Sequence, residues 1–140
     1  MRFMMIVKAT QDSEAGVMPP EKLIAEMQKY HEELQKAGVL LDASGLKPSS
    51  KGWRVKYAGS KRTVVDGPFT ESKELIAGYT IIQVKSREEA MEWARRFPNP
   101  SLDGGAAEVE VRQFFELEDF GPSESVERFR EMEKERAKKK

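Results

Sequence analysis

The chain predicts an α+β fold on a ferredoxin-like plan, with a β-hairpin inserted between two strand–helix–strand halves. Three observations predict it. Apolar spacing switches repeatedly between the two-residue period of strands and the three- and four-residue steps of helices. The resulting order is strand, helix, strand, two hairpin strands, strand, helix, strand. The first strand is apolar on both faces, although only two helices are available to cover the sheet, so the open face requires a partner, and a second copy is the simplest one.

Arg2 to Lys8 carries Phe3, Met5 and Val7 on one face and Met4 and Ile6 on the other, the pattern of a central strand. A polar loop from Thr10 to Met18 follows. Pro19-Pro20 and Glu21 then signal a helix start, since proline suits the first turn and an early carboxylate suits the helix dipole. Leu23, Met27, Tyr30 and Leu34 form one apolar stripe on this helix, which Gly38 terminates. Val39-Leu40-Leu41 opens a strand that fades at Ser44-Gly45, and Lys47 to Gly52 reads as a surface loop.

Trp53 to Tyr57 alternates apolar and basic residues as a half-exposed strand should, and a turn at Ala58-Gly59-Ser60-Lys61 pairs it with Arg62 to Asp66. Ile76 to Lys85 is a further strand. Ser86 and Glu89 have the spacing of a capping box, opening a helix with Ala90, Trp93, Ala94 and Phe97 on one face and a stop at Pro98. After a flexible loop from Asn99 to Gly105, Ala107, Val109 and Val111 alternate with charges in the last strand. The division expected is a domain at residues 1–120 and a charged helical tail at 121–140. From Ser123 the tail has only Val126, Phe129 and Met132 to bury, which predicts a weakly anchored helix fraying at its terminal lysines.

The 24 basic and 24 acidic residues cancel, so no net field draws the chain to nucleic acid or to a membrane surface, and neither partner is expected. The apolar start ends at Lys8, too soon for a signal-peptide core, and no later run approaches a membrane span. With no cysteine, disulfides and thiolate chemistry are absent and a cytoplasmic location is expected. A single histidine, His31, excludes a metal site built on several imidazoles within one subunit, and no metal is expected.

The stretch from Val64 through Asp66-Gly67-Pro68-Phe69 to Gly78-Tyr79 resembles the signature of the YCII-related family whose members carry an Asp-Gly-Pro-Phe (DGPF) turn. Lys36 to Leu41, the Trp93 helix ending at Phe97-Pro98, and Glu110 to Glu116 are similar to family segments in the same order, so the resemblance covers about residues 1–120. It implies a homodimer in which two ferredoxin-like sheets pack face to face as a dimeric α+β barrel. Relatives of the YCII type imply an enzyme with a histidine on the first helix and an aspartate at the end of the second. Those positions match Met27 and Phe97 here, which implies a chain without that catalytic pair. Members with the turn also imply an association with extracytoplasmic-function sigma factors.

His31, one helical turn beyond Met27, is expected to be a partly buried, hydrogen-bonded histidine, with a general base as the sharper reading. Pro68 stiffens the Asp66-Gly67-Pro68-Phe69 corner, where the Asp66 carboxylate is expected to accept from the Phe69 amide and Phe69 to enter the core. The alternative is a rigid lip on a ligand cleft lined by His31, Asp66, Gly67, Pro68, Phe69 and Tyr79. Arg54, Lys56, Lys61 and Arg62, interleaved with Trp53 and Tyr57, read as a solvated hairpin edge before a phosphate or RNA site. Two function classes remain: a small-molecule binder or enzyme, and a regulatory module with the tail as contact element. No motif names a substrate, catalytic residue or cofactor.

Overall fold

The computed structural model describes residues 1–70 and 74–139. Glu71-Ser72-Lys73 of the signature segment, and Lys140 where fraying is expected, lie outside the described residues.

The elements in chain order are β1 (Arg2–Lys8), α1 (Gln11–Glu14), α2 (Glu21–Lys36), β2 (Leu40–Gly45), β3 (Trp53–Ala58), β4 (Lys61–Asp66), β5 (Ile76–Gln83), α3 (Arg87–Arg95), β6 (Val109–Gln113) and α4 (Glu124–Lys138). Strands β2-β5-β1-β6 form a four-stranded sheet and β3-β4 a separate two-stranded ribbon. Every pairing is antiparallel, and without the ribbon the two strand–helix–strand halves interleave in ferredoxin-like order.

The pleat sorts β1 into two faces. Phe3 and Met5 lie opposite Ile82 and Thr80 and are buried with them under α2 and α3. Met4 and Ile6 lie opposite Ile81 and Tyr79 on the other face, where all four are half-buried. The core joins that inward face to Tyr30, Leu34, Val39, Val84 and Ala90, with Trp93, Ala94 and Phe97 packed against it. Each fully buried Val, Leu, Ile, Phe or Met side chain in it contributes about 1.5–3 kcal/mol through removal from water. Gly38 ends α2 in the left-handed region at φ 74°, as a terminating glycine should.

Several expectations are revised. The Thr10–Met18 loop contains the one-turn helix α1, because Thr10 Oγ1 accepts from the Ser13 amide while Ser13 Oγ accepts from the Thr10 amide. At α3 only half the capping box forms: Ser86 Oγ accepts from the Glu89 amide, and the Glu89 carboxylate accepts from Lys85. Ala107 lies before β6, and β5 stops at Gln83, short of Lys85. The Asn99–Gly105 loop holds itself with short-range bonds, including Asn99 Nδ2 to the Gly105 carbonyl at 2.9 Å and Ser101 Oγ to Asp103 at 2.6 Å. That hydroxyl and the Gly105 amide hold the Asp103 carboxyl below the usual carboxylate range. The ribbon is exposed on both faces instead of half-covered, apart from the half-buried Val65, with Trp53 and Tyr57 each 65% exposed. Among the described residues no helix is long and apolar enough to cross a membrane.

Candidate functional site

The stripe on α2 that builds the core also builds one wall of a cleft. Leu23, Tyr30 and Leu34 are buried, whereas Met27 and His31, displaced toward the helix flank, are half-buried. They face β5 and β2 across a cleft of about 820 Å³, bordered by the α1 loop, the segment around Leu46–Pro48 and the Pro100–Leu102 stretch. Its walls are mostly apolar. Met27 and Phe97, the two positions that the family resemblance matches to a histidine–aspartate pair, both line it, so this chain presents a thioether and a phenyl ring there.

The polar feature of the floor is a relay through His31. Its Nδ1 lies 2.7 Å from the Met27 carbonyl, which can only accept, so Nδ1 carries a proton. Nε2 lies 2.8 Å from Thr80 Oγ1, and in the neutral ring it accepts from that hydroxyl. Thr80 is 2% exposed and sits on the inward face of β5, so the pair satisfies polar groups that burial would otherwise penalise. The His31 ring is further held by edge contacts from Tyr30 at 5.4 Å and Phe97 at 6.2 Å between centroids. Tyr30 donates its hydroxyl to the Trp93 carbonyl at 2.6 Å, and burial pushes its pKa well above the ordinary tyrosine value.

The Asp66-Gly67-Pro68-Phe69 turn lies elsewhere. Of the six residues considered from sequence, His31 and Tyr79 border the cleft and Asp66, Gly67, Pro68 and Phe69 are not among its lining residues. Tyr79 borders it from the strand, while its hydroxyl donates to Asp42 at 3.1 Å. The expected Asp66–Phe69 bond is replaced: the Phe69 amide donates to Ser49 Oγ at 3.0 Å, and Asp66 is exposed. Phe69 is half-buried under the Arg54 guanidinium, 3.8 Å from the ring centroid, and does not enter the core.

Ser49 joins this turn to the cleft. Its amide donates to Glu14 at 2.9 Å, and its hydroxyl donates to the other oxygen of the same carboxylate. Gly67 donates to the Gly52 carbonyl at 3.0 Å, and a Cβ at Gly67 would lie 1.9 Å from the Ser49 carbonyl oxygen. Only glycine fits that approach. Sequence reasoning missed Thr80 and the Glu14–Ser49 clasp. Thr80 was accessible through strand alternation, because it stands two residues before Ile82 on the face that Ile82 buries. No spacing rule links Glu14 to Ser49.

The chain is 28% identical over 89 residues to an uncharacterised protein of Rhizobium meliloti (strain 1021), covering 64% of this chain and 72% of that one. It is similar, at 15% identity and a TM-score of 0.45, to 5-chloro-2-hydroxyhydroquinone dehydrochlorinase from Burkholderia phenoliruptrix AC1100, solved in complex with 2,5-dihydroxybenzoquinone. That likeness covers 82% of this chain and 94% of the other. The model of the YCII-related domain matches residues 1–115, and the chain belongs to that family.

Proposed function

We propose that the protein is a small-molecule binder whose ligand occupies the cleft between α2 and the sheet. The observation that carries this reading is a mostly apolar cavity of about 820 Å³ with one bonded polar pair, His31 and Thr80, on its floor. The ligand is a compact, largely apolar molecule with a polar group able to exchange bonds with His31 or Thr80. Met27 and Phe97 transfer no protons, so the chain lacks the acid–base pair implied by its YCII relatives. Titration with the apolar fluorophore anilinonaphthalene sulfonate tests the site. Ala43, a cleft residue on β2, changed as Ala43→Phe, is expected to weaken binding at least about tenfold, or ~1.4 kcal/mol. Undiminished binding by a folded Ala43→Phe variant overturns the reading. Turnover of a catalytic relative's substrate that vanishes in both His31→Ala and Asp66→Asn would show an enzyme instead.

The same proposal takes the unit as a cytoplasmic homodimer, a dimeric α+β barrel closed over the half-buried Met4, Ile6, Tyr79 and Ile81 face. It places the domain at residues 1–120 and a separate tail at 121–140. Sedimentation at micromolar concentration is expected to give twice the chain mass of 15.9 kDa. A second reading, a regulatory module that contacts an extracytoplasmic-function sigma factor through the tail, draws on the exposed Phe129 and Met132 of α4. Copurification of such a factor with the full chain, lost on removal of residues 123–140, would favour it.

A further inference from the structure

The neutral total charge conceals two opposite segments. Between Asp42 and Asp66 there is no acidic residue and there are six cations: Lys47, Lys51, Arg54, Lys56, Lys61 and Arg62. From residue 108 to 127 there are seven carboxylates against one cation, Arg112. Among the described residues, none of the six cations takes part in an ion pair. Within the acidic segment, Arg2, Lys8 and Arg130 pair with Glu116, Glu110, Glu118 and Glu127, which leaves Glu108, Asp119 and Glu124 without a cation among the described residues.

Each segment also carries uncovered aromatic surface. On the ribbon, Trp53, Val55 and Tyr57 share one face with Val64, and Trp53, Tyr57 and Val64 are all more than 60% exposed. In the acidic segment Phe115 and Phe120 stack with centroids 5.0 Å apart yet remain 70% and 60% exposed. An aromatic face with Arg62 beside Tyr57, on a thin ribbon whose other face carries Arg54, Lys56 and Lys61, and an aromatic pair fringed by carboxylates are chemical complements. Among the described residues, no ion pair or aromatic contact joins the two segments within the chain.

We propose that the occupant of the ribbon is a second copy of this chain: the β3–β4 ribbon of one protomer docks on the Phe115–Phe120 segment of its partner. A twofold dimer makes this contact twice, each protomer giving its ribbon and receiving the other's. The inference rests on the homodimer reading and adds the surfaces that set its pairing and orientation. Dewetted aromatic contact supplies affinity, and the opposed charges reject a like-to-like register.

The test is a charge swap in the full chain. One variant carries Lys56→Glu, Lys61→Glu and Arg62→Glu, and a second carries Glu108→Lys, Glu118→Lys and Glu124→Lys. Circular dichroism confirms that each folds, and native mass spectrometry with sedimentation velocity reads the assembly. Each variant alone is expected to self-associate at least about tenfold more weakly than wild type, because like charges then face each other at both contacts. An equimolar mixture is expected to form a heterodimer of wild-type affinity, since every contact again pairs opposite charges. Wild-type dimers that also weaken between low and high salt support the contact. A wild-type dimer whose affinity neither reversal changes, or variants that fail to rescue each other when mixed, overturn this contact while leaving the homodimer intact. A wild-type chain that stays monomeric overturns both.

Discussion

Met5 and Ile82 in the four-stranded sheet are 0% exposed, whereas Trp53 and Tyr57 in the ribbon are each 65% exposed, although all four stand on strands with ordinary alternation. The pleat decides which side chains share a face; whether that face is covered depends on what packs against it. In the large sheet, α2 and α3 cover one face, and the side chains there find both apolar contact and polar partners. Across the described residues no buried side-chain polar atom lacks a hydrogen bond. The ribbon has no such layer in the isolated chain, so its order comes from backbone pairing and from its anchorage through Ser49 and Phe69.

The sharpest way to break this comparison is to cut the same kind of side chain from both places. Ile82→Ala is expected to destabilise by about 2–5 kcal/mol because it leaves a cavity in a close-packed core. Val64→Ala on the ribbon, measured by urea unfolding at high dilution where no partner contributes, is expected to cost no more than about 0.5 kcal/mol. Equal losses would mean that the ribbon is packed like the sheet. Gly67→Ala tests the anchorage: the added Cβ collides with the Ser49 carbonyl, and overpacking of this kind costs roughly 1–3 kcal/mol. A neutral result would show that the turn relaxes freely from Ser49.

Thr80→Val probes polar satisfaction within the packed half. It removes the hydroxyl that faces His31 Nε2, with an expected loss of about 1–3 kcal/mol. Thr80→Ser should recover most of that loss in thermal unfolding, and failure to do so would assign the effect to packing.

Tyr30→Phe has a smaller effect at neutral pH, about 0.5–1.5 kcal/mol for the bond to the Trp93 carbonyl. Its signature is in alkali. Burial raises the folded-state pKa of Tyr30, so the folded chain holds that proton more firmly than the unfolded one. The stabilisation is complete below the ordinary tyrosine value of about 10 and is lost as pH rises beyond it. Tyr30→Phe should therefore flatten the alkaline limb of the stability profile, and an unchanged limb would refute the assignment. Least affected should be the chain cut after Pro122: α4 packs mainly on the Leu117–Phe120 turn and buries no residue, so its removal should move the melting temperature by only a few degrees.

The large sheet was legible because its signals are local and periodic. Phe3 to Val7, the Leu23-Met27-Tyr30-Leu34 stripe and the Val109/Val111 alternation each state a period, and the order of periods states the topology. The site was legible only in part. His31 could be located beside its stripe, yet its partner Thr80 stands 49 residues away and is brought to it by strand register. The Asp66–Phe69 corner misled for a related reason. Turn chemistry considers bonds within the turn, whereas here the amide of Phe69 is taken by Ser49 from a distant loop. The bare ribbon could not be recognised either, since alternation of Arg54 and Lys56 with Trp53, Val55 and Tyr57 looks the same whether or not a layer lies above it.

Ser49 grips Glu14 on one side and Phe69 on the other, and it follows Pro48, which lines the cleft. In mechanical terms it is a pin through three separate stretches of chain: the wall beside the cavity, the loop before the ribbon and the corner after it. A lever mounted on such a pin does not swing alone. Whatever seizes the ribbon also pulls on the rim of the cleft.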